Sequence, residues 1–360
     1  MDFKEWCMAN IRDVASRAGV SVATVSHVIN ESRFVADETK ARVLSAISEL
    51  NYRRDGIARS LRRSHTGTIG AIISDVTNPF FSDLVKGIDN VVHNLPNRVN
   101  VMLCNTEEDP AKERAYLDVL MEKRVDGLIV APAGDNRAYF QSLIEQSFPL
   151  VFVDRTLSGI DVESVEVDNL AASASVIRHL IDQGHRRIAV LKATLQANSI
   201  GNRLSGYEQE MAVAGLSTSR ELVVECASDI VSAQVGGSRL LDLDPLPDAV
   251  FCTNNFMTLG MVRAINARGL RCPEDIAIAG FDDFLWADAF RPRITAVAQP
   301  SIEMGEEAAR LLMSRIAKTR SGQPVHRLLD TSLIVRESSG PRQLSRSLTS
   351  APGTGDRAPA

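Results

Sequence analysis

The chain has 360 residues, 44% of them hydrophobic and 24% charged, enough apolar material for two or three globular units of ordinary composition. It holds no run of about 18 apolar residues, which excludes a membrane-spanning helix, and Met1–Asn10 contains no apolar core of signal-peptide type, so a cytoplasmic location is expected. The net charge of −5 is unevenly spread: residues 1–66 carry eleven Lys/Arg against eight Asp/Glu, and the remainder carries twenty-nine against thirty-seven.

The first segment reads as short helices. From Ile11 the positions Val14, Ala15 and Ala18 keep helical spacing, and Gly19 supplies a C-terminal stop. Ser21 is an N-cap residue for a second helix to about Asn30, with Val25, Val28 and Ile29 turned inward. A third helix is predicted from about Asp37 to Leu50, its apolar positions being Val43, Leu44, Ile47 and Leu50. Three short helices with a glycine turn between the first two describe a helix-turn-helix. A cluster of arginines follows, Arg53, Arg54, Arg59, Arg62 and Arg63, against the single Asp55.

Beyond about Thr66, short apolar runs alternate with amphipathic stretches. The runs are 69–74, 99–104, 127–131, 150–153, 188–191, 249–252 and 276–281. Such alternation predicts parallel sheets covered by helices, and the number of strands predicts two lobes. Several runs end in a polar residue: Asp75, Asn105, Asp154, Asn254 and Asp282. Ligands of open α/β sheets bind beyond the carboxyl ends of the strands, so these residues are expected to face a cleft. Residues after Gly340 are rich in Ser, Pro, Gly and Arg without hydrophobic period, and a disordered tail is expected over 341–360. The five cysteines, Cys7, Cys104, Cys226, Cys252 and Cys272, are scattered and form no C-x-x-C pair. No disulfide framework, metal site or cofactor is expected.

An ordered set of motifs resembles the LacI/GalR family of bacterial regulators: 11–15 (IRDVA), 18–30 (AGVSVATVSHVIN), 58–61 (ARSL), 75–81 (DVTNPFF), 123–127 (KRVDG), 185–188 (HRRI), 273–277 (PEDIA) and 280–283 (GFDD). The resemblance implies an all-α helix-turn-helix domain followed by a two-lobed α/β domain of the periplasmic-binding-protein-like type. Its expected bounds are an N-terminal extension over 1–8, the helix-turn-helix over 9–53 and a hinge helix or linker over 54–66. The ligand-binding and dimerisation domain spans 67–340, with one lobe at 67–168 and 299–330 and the other at 169–298 and 331–340.

A major groove about 12 Å wide admits one helix, whose outward side chains reach the base edges. The outward positions of the second helix are Val22, Ala23, Thr24, Ser26 and His27. The resemblance makes Val22, Ala23 and His27 the base readers and Thr24 and Ser26 phosphate contacts. Many relatives have arginine where this chain has His27, whereas the purine and ribose repressors share its Thr-Val-Ser-His-Val-Ile-Asn run, which implies a half-site like theirs. In the hinge, Ala58 and Arg59 accompany Leu61, which matches a residue that wedges into the minor groove and kinks the duplex. Arg54-Asp55-Gly56 departs from the usual pattern, and a glycine in a helix costs about 1 kcal/mol relative to alanine.

For the cleft, the resemblance assigns Phe80 and Phe81 to one wall and Arg203 to the other. Asn254 and Asp282 become polar contacts and Gln299 a crossover contact, with Asp75 and Asp154 at equivalent strand ends. Relatives often place an aromatic residue around Asp229; here Trp286, one of two tryptophans, is expected to supply it. Carboxylates, amides and aromatic faces suit a sugar, and Arg155 with Arg203 could grip a sugar acid. A purine is the third option, drawn from the reading head alone.

The expected function is a homodimeric repressor of palindromic double-stranded operator DNA, controlled by a small-molecule effector, without catalysis and without a membrane partner. A sugar-binding transport protein is the rival from another class, but it would need a signal peptide and would not need residues 9–63. An enzyme on the doubly wound sheet is disfavoured because no G-x-G-x-x-G, G-x-S-x-G, P-loop or H-E-x-x-H pattern occurs.

Overall fold

Asn10 opens the first helix by a reciprocal cap: its side chain accepts from the Arg12 and Asp13 N–H groups while Asp13 accepts from the Asn10 N–H. In the computed structural model, which describes residues 9–52, 65–96, 98–195 and 197–342, this helix is α1, Ile11–Ala18. Gly19 ends it at φ 63°, a left-handed conformation that glycine adopts without steric cost. Ser21 Oγ then accepts from the Thr24 N–H at 3.1 Å and starts α2, Val22–Asn30. The third helix, α3, is Asp37–Glu49. Val14, Ala15, Ala18, Val25, Val28, Val43 and Ala46 form their shared core, and Arg17 ties α1 to Glu49 of α3. Leu44, expected among the apolar positions, is instead 50% exposed, because a three-helix core this small is filled by Val43 and Ala46.

The described residues divide into two compact units, one ending at Thr66 and one beginning at Gly67. The second unit contains two six-stranded sheets. The strands of the first are β1 (Thr68–Ile73), β2 (Asn100–Asn105), β3 (Leu128–Val130), β4 (Leu150–Val153), β5 (Glu163–Val167) and β11 (His326–Leu329). They lie in the order β11-β5-β4-β3-β1-β2, and all their pairings are parallel. The second sheet is built from β6 (Ile188–Ala193), β7 (Val223–Cys226), β8 (Ala249–Cys252), β9 (Ala277–Phe281), β10 (Thr295–Ala298) and β12 (Ser332–Ile334). It repeats the pattern as β12-β10-β9-β8-β6-β7, with β12 antiparallel to β10.

The chain crosses between the sheets three times: after β5, after β10 and between β11 and β12. Five of these strands, β5, β7, β10, β11 and β12, match none of the apolar runs in the sequence. β11 and β12 lie at sheet edges with exposed or half-buried residues, so their pairing is decided by neighbours and not by their own hydrophobicity.

Helices cover both sheets. The helix Ser301–Ile316 follows the second crossover and packs Met304, Ala308 and Leu312 into the core of the first lobe. It meets the helix Pro79–His93 at two glycines: a Cβ on Gly87 would strike the Ile302 carbonyl, and one on Gly305 would strike the Leu84 carbonyl. The helix Asn169–Asp182, just past the first crossover, buries Val176, Ile177 and Leu180 in the second lobe. No helix among the described residues is long and apolar enough to cross a membrane.

Candidate DNA-reading head and ligand cleft

On α2, Val22 and Ala23 are exposed, while Thr24, Ser26 and His27 are half-buried. The Thr24 hydroxyl lies 2.9 Å from Ser21 Oγ, beside the helix cap. His27 projects from the last turn, with Nδ1 2.9 Å from Ser32 Oγ. The first turn of α2 also presents backbone N–H groups that no carbonyl of its own helix can reach, and these suit a phosphate. Ala58, Arg59 and Leu61 lie outside the described residues, as do the extension over 1–8 and the tail from 343 onward.

In the second unit, the carboxyl ends of the two sheets bound a cleft of about 450 Å³. Asp75, Phe80, Phe81, Asp154, Arg203, Asn254 and Asp282 all line it. Phe80 and Phe81 stand edge to face at 5.0 Å at the start of their helix, whose N-cap Asn78 accepts from the Phe80 N–H. Asp154 and Asp282 occupy matching places past β4 and β9, each 6% exposed and each at φ 69°. Arg155 donates through Nε to Asp154 at 3.0 Å and through Nη2 to Ser74 Oγ. Arg203 donates to the Asn169 side chain and to the Thr253 carbonyl, both at 2.7 Å, and its guanidinium covers the Phe281 ring at 3.7 Å. It stands 3.8 Å from Asp282. Burial raises the Asp282 carboxyl above its ordinary range, opposed by Arg203 and by the Gln299 amide. Burial likewise lowers the Arg203 guanidinium, opposed by Asp282.

Asp75 and Asn254 are half engaged in local structure. Asp75 Oδ1 accepts from the Thr77 N–H and hydroxyl, and Asn254 Oδ1 accepts from the Met257 N–H as an N-cap. The lobes also touch directly: Asn255 donates to Asn78 at 2.8 Å, and Asn198 donates to Thr156 and Glu166.

Two expected cleft residues lie elsewhere. Gln299 does not line the cleft; its amide backs Asp282 from the crossover. Trp286 is 46% exposed and stands edge to face on Phe284 at 5.4 Å, outside the lining. The reason is local: Asp283 pairs with Arg336, and Phe284 turns into a satellite cluster with Ala287 and Ile294, which carries Trp286 away from the cleft. Phe256, on the first turn of the helix Asn255–Ala267, lines the cleft together with Phe80 and Phe81. Its signal in the sequence is its place two residues past the polar end of β8. Glu108 and Ser199, farther past the ends of β2 and β6, also line the cleft.

Comparison with known proteins agrees with both units. Residues 10–55 match the model of bacterial regulatory proteins of the lacI family, and residues 177–339 match a periplasmic binding protein-like domain. The HTH-type transcriptional repressor PurR of Photobacterium profundum is 33% identical over 332 residues, covering 92% of this chain and 98% of the relative. This chain belongs to the lacI family. The lacI-family regulator also resembles solved structures along most of its length. A transcriptional regulator CelR–cellobiose complex is 31% identical with a TM-score of 0.70, covering 92% of this chain and 99% of that one. The Lac repressor dimer bound to operator and the anti-inducer ONPF is 25% identical with a TM-score of 0.80 over the same shares. As a DNA-binding transcriptional regulator, the lacI-family chain pairs a reading head with a two-lobed α/β body.

Proposed function

We propose that this regulator is a repressor which binds a palindromic operator as a homodimer and is controlled by a neutral sugar held between the two lobes. The observation that carries the choice of ligand is the charge balance of the cleft. Six carboxylates line it, from Asp75, Glu107, Glu108, Asp154, Asp229 and Asp282, against the guanidiniums of Arg155 and Arg203. Both guanidiniums already have partners within the protein. Hydroxyl groups can donate to the carboxylates, and the phenyl faces of Phe80, Phe81 and Phe256 cover the apolar side of a sugar ring. A sugar acid would have to displace an internal partner from an arginine while facing this acidic wall. The CelR structure, a cellobiose complex, supports a sugar. A purine is the second reading, supported by the relationship to the purine repressor; stacking on phenyl rings and N–H donation to carboxylates would serve it.

On the DNA side, Val22, Ala23 and His27 read base edges, and Ser26 with the α2 N-terminus engages phosphate. Ala58, Arg59 and Leu61 form the hinge contact, with Leu61 as the minor-groove wedge. The protein is cytoplasmic and turns over no substrate. A thermal-shift screen of neutral sugars, sugar acids and purines tests the ligand, because ligand at 100 Kd adds about 2.7 kcal/mol. The hit is expected among neutral sugars, is recovered chemically unchanged, and alters operator binding in a gel shift. A response confined to purines or sugar acids overturns the sugar reading.

A further inference from the structure

The turn that closes α2 folds back on His27. Glu31 adopts a left-handed conformation, φ 50°, and its N–H donates to the His27 carbonyl. The Ser32 N–H points at the same carbonyl, and the Ser32 hydroxyl reaches the His27 ring, Oγ to Nδ1 at 2.9 Å. One short turn therefore holds both the backbone and the imidazole of a residue on the reading helix. Ser32 itself is exposed and packs in no core. The Ser32 hydroxyl can donate to Nδ1 or accept from it, and the imidazole tautomer decides which.

A neutral imidazole carries one N–H, and the hydrogen bond at one nitrogen decides which nitrogen holds it. With Ser32 donating, Nδ1 is the acceptor and the proton sits on Nε2. The nitrogen free to face the groove is then a donor, which matches the N7 and O6 acceptors of guanine and not the amino group of cytosine. We propose that Ser32 is a positioning residue that fixes His27 as its Nε2–H tautomer and thereby makes His27 select guanine. This rests on the reading role of His27 given above.

The test uses full-length protein in four forms, wild type, Ser32→Ala, Ser32→Thr and His27→Ala, each put through selection of operator sequences. Wild type is expected to prefer guanine at one position per half-site. Ser32→Ala should weaken that preference about 5-fold, the scale of one lost hydrogen bond, with other positions and the melting temperature unchanged. Ser32→Thr, which keeps the hydroxyl, should restore it. In ¹⁵N-histidine-labelled protein, the His27 resonances should move from the Nε2–H pattern toward a tautomer mixture in Ser32→Ala alone. A Ser32→Ala profile and spectrum equal to wild type, with His27→Ala relaxed, overturns the role of Ser32. An unchanged His27→Ala profile overturns the reading role on which it stands. A wild-type preference for cytosine at that position overturns the tautomer, and a preference for adenine or thymine overturns the selection of guanine.

Discussion

At the residue scale, Asp282 couples backbone and chemistry. Its φ of 69° is one that aspartate tolerates better than most residues, and the turn there separates Asp282, facing the cleft, from Asp283, which pairs with Arg336. Asp282→Asn preserves size and the turn but removes the charge. The expected result is a ligand affinity lower by about 2 kcal/mol, the scale of a hydrogen bond to a charged group, with the melting temperature of the free protein held or raised, since burial already disfavours the charge. Calorimetric titration with the hit from the ligand screen checks the first part, and a melting curve checks the second. The strand-end rule locates this residue from sequence because β9 is a continuous apolar run that stops at Phe281. The same kind of reasoning misplaces Trp286. Aromatic character marks a ring that will be covered, but Phe284 and the Asp283–Arg336 pair determine what covers it.

At the element scale, the helices Pro79–His93 and Ser301–Ile316 approach so closely that glycine is required on each. Gly87→Ala would drive a methyl group into the Ile302 carbonyl, a backbone atom that no rotamer change can move aside. Destabilisation of about 2–3 kcal/mol is expected, the upper part of the usual range for overpacking, read as a lower urea midpoint. These helices lie more than two hundred residues apart, so no local pattern announces their contact.

A second element-scale consequence concerns pH. His179 and His185 fasten the last described segment to the second lobe, through the Ser339 hydroxyl at 2.8 Å and the Gly340 carbonyl at 3.0 Å. Burial lowers both imidazoles below the ordinary value of 6.5. The unfolded chain then binds more protons than the folded one as pH falls below that value. Stability contributed by the neutral rings is therefore present above pH 6.5 and declines below it, levelling once the lowered folded values are passed. Urea unfolding at pH 7.5 and pH 5.5 should show the loss. His185→Gln, which can still donate to Gly340, should shrink the difference; an undiminished difference would exclude His185 as a source.

At the scale of the whole molecule, two lobes share three crossovers and are bridged by Asn78–Asn255 and by Asn198 with Thr156 and Glu166. The cleft is lined from both lobes, so a ligand held there would touch both at once. By linkage, a ligand that weakens operator binding must itself bind the operator complex less tightly.

The reading head is legible almost entirely in the order of its residues. Asn10, Gly19 and Ser21 act through bonds to residues two to four positions away, so their caps and turns are visible locally. The buried central strands and the polar residues at their ends are marked in the same way, because a strand covered on both faces must be apolar throughout. Three features emerge only on folding: which strands close each sheet at its edges, that Phe256 and not Trp286 faces the cleft, and that both guanidiniums are already engaged. Each depends on which distant segment arrives as neighbour, and a neighbour's hydrogen bonds leave no periodicity in the chain that receives them.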